Sequence, residues 1–322
     1  MKSKIKAVKS TDQNENIIDV EKDNEEKEVN RLLRKIRKND KSKNSRFSNL
    51  FILFISILLF FVTGLYNNSF LNLFIFFGII LFHEFGHLLA MKFFKFKNLK
   101  LFFIPLFGAA VTGKSSNNDG FKNCLISLFG PLPGILAAII LLFFLKDNQL
   151  VRQIALISLI INGFNLLPIL PLDGGNIVNS ILFNRNKYLQ VLYQIFTIAG
   201  IFILAIAFKS IIFGILGLFI IFTIKPTYLK SVIASKVKSL NQNLSYDIKD
   251  SNIKATISII YNIMKNKYPQ YLKKDIDSLV IADIIERLNY KSPSIAKSII
   301  MIFLYFLVSA IALVGITVLS YS

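Results

Sequence analysis

The sequence predicts an all-α polytopic membrane protein with about six to seven transmembrane helices, and three observations carry that prediction. Apolar runs approaching or exceeding about 18 residues, the length that crosses a hydrocarbon layer, recur along the chain. The 322 residues are 53% hydrophobic, with 31 Phe and a mean hydropathy of +0.55. The basic residues also sort to one side. With a cytoplasmic N-terminus and alternating crossings, all of the 38 Lys and Arg fall in the cytoplasm except Lys146, Arg152 and Lys209. Shifting the topology by one span would reverse this for a large basic segment. On a soluble chain the net charge of +19 would suggest nucleic acid. Here the positive-inside bias explains it, and no nucleic-acid-binding motif is present. The expected location is a bacterial inner (cytoplasmic) membrane; the high Lys, Asn, Ile and Phe usage is the compositional hint of a bacterial source.

Each element follows in order. Residues 1–49 form a charged cytoplasmic tail rich in Lys, Glu, Asn and Ser, expected to be solvated and partly disordered. Asp19 to Lys38 could form a charged helix with pairs such as Lys22 with Glu26, but its apolar face is thin. A membrane-surface or partner-binding arm is the lesser alternative. Residues 50–226 read as a membrane domain. Its first apolar run, Leu50 to Leu65, follows the charged leader and is expected to stay as a signal anchor rather than a cleaved signal peptide. The second runs from Phe70 to Met91 and ends in a basic stretch with Lys92, Lys95, Lys97 and Lys100.

Leu99 to Gly113 is too short to span and is broken by Pro105 and Gly108. Its composition suits a strand or hairpin near the second span as well as it suits a plain re-entrant loop. The third span, Asn123 to Leu145, carries Gly130-Pro131-Leu132-Pro133-Gly134, which should kink it and admit a neighbouring helix closely. The fourth, Ile154 to Leu170, should unwind at Pro168 and Pro171 and turn back through Asp173-Gly174-Gly175. Tyr188 to Phe208 and Ile211 to Ile224 read as the fifth and sixth, joined at Lys209 and Ser210. Residues 227–297 are polar and periodic, as a small helical cytoplasmic domain would be. Residues 298–322 hold a seventh span. Cys124 is the single cysteine, so the chain has neither an internal disulfide nor a Cys-based zinc site.

The chemistry concentrates in the second span. His83-Glu84-Phe85-Gly86-His87 holds the chain's only two histidines, four residues apart. On a helix that spacing stacks both imidazoles on one face, within reach of one tetrahedral zinc. Glu84 lies beside that face, where a carboxylate could take a proton from water activated there. Three ionisable groups inside hydrocarbon are costly and mark a functional site by default. At about 1.5 Å per residue from Met91, the pair lies roughly 6–12 Å below the cytoplasmic end.

A catalytic zinc takes three protein ligands and keeps a position open. With no third His and no useful Cys, the remaining ligand must be a carboxylate. Glu286, the only glutamate after Glu84, lies in the polar domain. Asp119 and Asp147 lie in loops, and Asp147 falls on the opposite face. Asp173 combines the depth, the side and the broken helix that a third ligand needs, with Asp119 as runner-up. An aspartate that merely starts the loop after a helix is the competing structural reading.

HEFGH in one span together with NLLPILPLDGG at the end of a later one resembles the site-2 protease family of intramembrane zinc metalloproteases, over roughly residues 50–180. FGPLPG is similar to the family's Gly/Pro segment between those motifs. The resemblance implies that His83, His87 and Asp173 bind one Zn2+ and that Glu84 is the general base. It matches Asn165 to the motif's asparagine, an electrophilic or substrate-positioning donor. Phe85 and Gly86 fill the motif's free positions. The implied partners are the lipid bilayer and a transmembrane protein or signal-peptide substrate, cut within or near its membrane segment. No sequence suggests the PDZ or CBS modules that accompany this core in some members. A proton-coupled transporter would also place His, Glu and Asp in a membrane, but the ligand-like clustering and the lack of an inverted repeat weigh against it. An inactive metal-binding scaffold is disfavoured by the presence of Glu84.

Overall fold

The structure, a computed structural model, describes residues 23–38, 70–104, 108–114, 119–145, 147–182, 185–240, 244–247, 250, 252–273 and 276–321. They fall into two compact units, one of residues 23–38 with 229–289 and one of residues 70–228 with 290–321. The expected first span, Leu50 to Leu65, lies outside the described residues.

In the first unit, α1 (residues 23–38) buries Val29, Leu32, Leu33 and Ile36, spaced as one face of a helix. The stretch expected to be mainly a solvated tail is therefore helical and half-buried here. Its four apolar side chains make too thin a face to hold alone, but they share a core with residues 229–237, 253–264 and 281–288. An ion pair adds to the packing: Arg31 Nη2 lies 2.5 Å from Oδ2 of buried Asp277.

The membrane unit begins with α2 (Phe70–Phe93). A two-stranded antiparallel hairpin follows, β1 (Lys97–Ile104) and β2 (Gly108–Lys114), with Leu101 opposite Val111 and Ile104 opposite Gly108. The hairpin packs along α2, so a strand pair rather than a plain loop occupies this stretch. The third span is two helices, α3 (Gly120–Phe129) and α4 (Pro131–Leu145), divided at Gly130. Then come α5 (Gln149–Asn165), α6 (Asp173–Ile181), α7 (Lys187–Ala207) and α8 (Ile211–Ser239). The first unit takes α9 (Ile253–Lys267) and α10 (Asp277–Asn289), and α11 (Ile295–Tyr321) returns to the membrane unit.

Five of the described helical segments are long and apolar enough to span a membrane: Phe70–Phe93, Gly120–Leu145, Tyr188–Ala207, Phe213–Ser239 and Ile295–Leu319. At 17 residues α5 is shorter, about 25 Å. The sixth expected span ends at Ile224, whereas α8 runs on through Pro226 to Ser239. A proline removes one backbone bond, and Leu229, Ile233 and Val237 beyond it keep a buried stripe that holds the helical register. In the membrane unit α4 packs on α5, α3 on α6, and α11 on α5. On α11 the buried Met301, Tyr305, Val308 and Ala312 share one face, while Phe303 and Phe306 point outward, as lipid-facing side chains do.

Candidate metal centre

Helix α2 is divided lengthwise. Phe82, Phe85 and Leu89 are exposed, while His83, Glu84 and His87 are buried, at 4%, 7% and 9% exposure. The i,i+4 spacing brings His83 Nε2 within 3.1 Å of His87 Nε2. Asp173 Oδ2 lies 3.0 Å from the first and 3.3 Å from the second. Ligands at about 2.0–2.1 Å from a tetrahedral zinc stand about 3.3–3.4 Å apart, so the three atoms match one face of such a site. The carboxylate of Glu84 completes the cluster: it and one ring nitrogen from each histidine lie within 4.8 Å of one another.

The other ring nitrogens fix which atoms face inward. His83 Nδ1 lies 2.8 Å from Asn162 Oδ1, and His87 Nδ1 lies 2.9 Å from the carbonyl of Ile126. Both partners accept, because Asn162 Nδ2 donates to the carbonyl of Ser158 at 2.8 Å and so turns its oxygen to the histidine. With its proton on Nδ1, a neutral imidazole presents a lone pair on Nε2, the state a metal ligand requires. Ile126 lies in the last turn of α3, where carbonyls are left over by the helix. Two imidazoles and a carboxylate suit zinc.

Local sequence explains how these groups meet. The backbone leaves helix α5 after Asn165, turns through residues 166–172, and re-enters a helix at Asp173. The bend packs backbone on backbone. A Cβ at Gly174 would lie 2.1 Å from the carbonyl oxygen of Leu166, and one at Gly175 would lie 2.4 Å from that of Ile169. Across the site, a Cβ at Gly86 would lie 2.0 Å from the carbonyl oxygen of Phe129, and one at Gly130 would lie 2.3 Å from the His87 ring. Gly86 is thus not a free position, because it lets α2 touch the α3–α4 break. A cavity of about 750 Å³ opens beside the cluster, lined by Glu84, Asp173, Asn165, Phe164, Leu204 and Phe213 among others.

The model of peptidase family M50 matches residues 71–153 and 147–207. Over those residues, less than half of its length, the chain is similar to that family. The matched residues hold the two histidines, Glu84 and Asp173, and the match agrees with the resemblance read from the sequence. A zinc metalloprotease of Methanocaldococcus jannaschii is 31% identical over 151 residues, covering 44% of this chain and 43% of that one. The chain thus spans less than half the length of that relative. A solved structure, the site-2 protease of the same organism, is 21% identical, with a TM-score of 0.40 over 55% of this chain and 88% of its own.

The structure brings together His83, Glu84 and His87 of α2 with Asp173 of α6. Asn165 lines the cavity, but its amide nitrogen bonds the carbonyl of Ile161 at 3.1 Å. The runner-up Asp119 is engaged elsewhere, capping α3 through a 2.9 Å bond from the Phe121 amide. Asn162 is the residue that sequence reasoning passed over. Its signal was present: an asparagine one turn from Ser158 in the middle of an apolar helix is costly unless it serves a partner.

Proposed function

We propose that this chain is an intramembrane zinc metalloendopeptidase that hydrolyses a peptide bond within or near a transmembrane segment of its substrate. The observation that carries the reading is the triangle of His83 Nε2, His87 Nε2 and Asp173 Oδ2, with sides of 3.0–3.3 Å and Glu84 beside it. His83, His87 and Asp173 would hold the zinc, which when bound supplies Lewis acidity to a scissile carbonyl and makes water easier to deprotonate. Glu84 would act as general base, taking the proton of the attacking water and passing it to the leaving amine. Asn162 and the Ile126 carbonyl keep both imidazoles in the required tautomer. Asn165, at the cavity wall, is the donor proposed for the developing oxyanion, once its amide turns from Ile161.

A substrate helix must unwind before its backbone can be cut, and in hydrocarbon its freed amides need partners. The β1–β2 hairpin on α2 would supply them by strand addition. The distribution of Lys and Arg supports a cytoplasmic N-terminus in a bacterial inner membrane, with the metal near the cytoplasmic face and open to water from that side. Membrane-tethered proteins and remnant signal peptides are the substrates this geometry suits.

The test compares the purified parent with Glu84→Gln for zinc content and for cleavage of a transmembrane reporter. Both should retain one zinc per chain, and the variant should lose at least about 100-fold in rate. A parent without zinc, or a variant that cleaves at the parental rate, would refute the assignment.

A further inference from the structure

We infer that the C-terminal helix α11 is part of the metal centre: Tyr305 on α11 and Tyr193 on α7 are positioning residues that hold the unwound segment 166–172 and so fix Asp173. The inference rests on the zinc reading above and concerns residues that reading does not use. The family match ends at residue 207, so α11 lies wholly beyond it.

A break in a membrane helix frees carbonyls, and each one buried away from water must find a donor from the protein. Part of this break serves itself. The carbonyl of Leu167 accepts from the Ile169 amide at 2.8 Å, that of Ile169 from the Leu172 amide at 2.9 Å, and that of Leu172 from the Asn176 amide at 3.0 Å. Pro168 and Pro171 bring no amide protons, so local pairing runs short. Two of the remaining carbonyls are met from other helices. Tyr305 donates to Leu166 O at 2.6 Å, and the Tyr193 hydroxyl lies 3.0 Å from Pro168 O. Both tyrosines are buried, at 7% and 2% exposure, which leaves no room for solvent to substitute.

The contacts run on to the ligand. The Leu166 carbonyl that Tyr305 engages is the one on which Gly174, next to Asp173, rests. The Tyr193 hydroxyl is also 3.0 Å from Gly175 O, so its single proton is shared between the segment before Asp173 and the turn after it. The far end of α6 is tied to the start of α11 as well. Arg185 bonds Ile181 O at 2.8 Å, Pro293 O at 2.7 Å and Ser298 Oγ at 2.8 Å. Helix α6 is thereby fixed to α11 near both of its ends.

The full-length protein, reconstituted in nanodiscs, separates this role from general packing. Parent, Tyr305→Phe, Tyr193→Phe and Val308→Ala are loaded with Co2+ in place of zinc. Metal affinity is read by chelator competition, ligand geometry by the visible ligand-field spectrum, and stability by thermal unfolding. Val308, buried on the same face of α11, supplies a loss of packing without loss of a hydroxyl. Each Phe variant should bind metal about tenfold more weakly and show an altered spectrum at saturation, while Val308→Ala keeps the parental affinity and spectrum. Parental affinity and spectrum in both Phe variants would overturn the inference and leave the zinc reading standing. An equal loss in Val308→Ala would overturn it too, as would failure of both Phe variants to fold, since the hydroxyls would then support the unit rather than the ligand. A parent that takes up no metal would remove the zinc reading and this inference together.

Discussion

Replacing Asn162 by Leu removes the acceptor that faces the His83 Nδ1 proton at 2.8 Å and keeps a side chain of comparable size. Asn162 is fully buried, so no water takes over the bond. An unsatisfied buried donor costs about 1–3 kcal/mol. At about 1.4 kcal/mol per decade, that corresponds to roughly 5- to 150-fold in an equilibrium constant, the range seen when the outer partner of a metal-bound histidine is deleted. The penalty falls on zinc binding, because the freed imidazole can turn or change tautomer and withdraw its Nε2 lone pair. Zinc affinity, measured by competition with a chromophoric chelator, should therefore drop about 10- to 100-fold. Asn162→Asp offers an oxygen to the same proton and should bind zinc within about threefold of the parent, or more tightly. Parental affinity in Asn162→Leu refutes the reasoning. So does an equal loss in both variants, which would trace the effect to the close fit of Asn162 against Gly134, where a Cβ would lie 2.3 Å from Nδ2.

Two further substitutions probe the rest of the molecule. Gly86→Ala would place a methyl 2.0 Å from the carbonyl oxygen of Phe129. Backbone must move by about 1 Å, stretching the His87–Ile126 bond, so stability should fall by about 1–3 kcal/mol and zinc be held less tightly; an unchanged melting temperature with full zinc content would refute the close approach. In the other unit, burial by itself lowers the Arg31 pKa, but hydrogen bonds to Asp277 and Glu28 hold it above the usual guanidinium value. Asp277→Asn should weaken that hold and lower the hydrogen-exchange protection of residues 29–36 by about 1–2 kcal/mol, and parental protection would show that the ion pair is incidental.

What could be read from the sequence was whatever local spacing determines. His83 and His87 declare themselves because i,i+4 is a helix-face spacing and because charge inside hydrocarbon is costly. Asp173 declares itself because two prolines and two glycines mark a helix that breaks and turns. The hairpin was half legible: Pro105 and Gly108 excluded a span without choosing between strand and loop. Other features depend on partners far away in the chain. Val29, Leu32, Leu33 and Ile36 become a buried face only when residues 229–288 supply the opposite wall. Gly86 reads as a free motif position until the Phe129 carbonyl is seen against it. Asn162 stood three residues from the asparagine that the motif singles out, and only coordinates show which of the two reaches a histidine.

The membrane itself decides which distant residues must be polar. Bringing an aspartate to two histidines on another helix requires the aspartate's own helix to unwind at that depth, because a continuous helix would carry residues 166–173 straight on. Unwinding frees carbonyls, and in hydrocarbon a freed carbonyl costs several kcal/mol unless a donor reaches it. Prolines stabilise the unwound form against rewinding, yet they withdraw the amides that could have served those carbonyls. Donors must then come from whichever helices pack against the break, which places a buried hydroxyl on α7 and another on α11. The same requirement accounts for Asn162, whose oxygen serves a buried imidazole proton one helical turn before the break. Tyr193, Tyr305 and Asn162 thus follow from the position of Asp173, the proposed metal ligand, and of the histidines it meets.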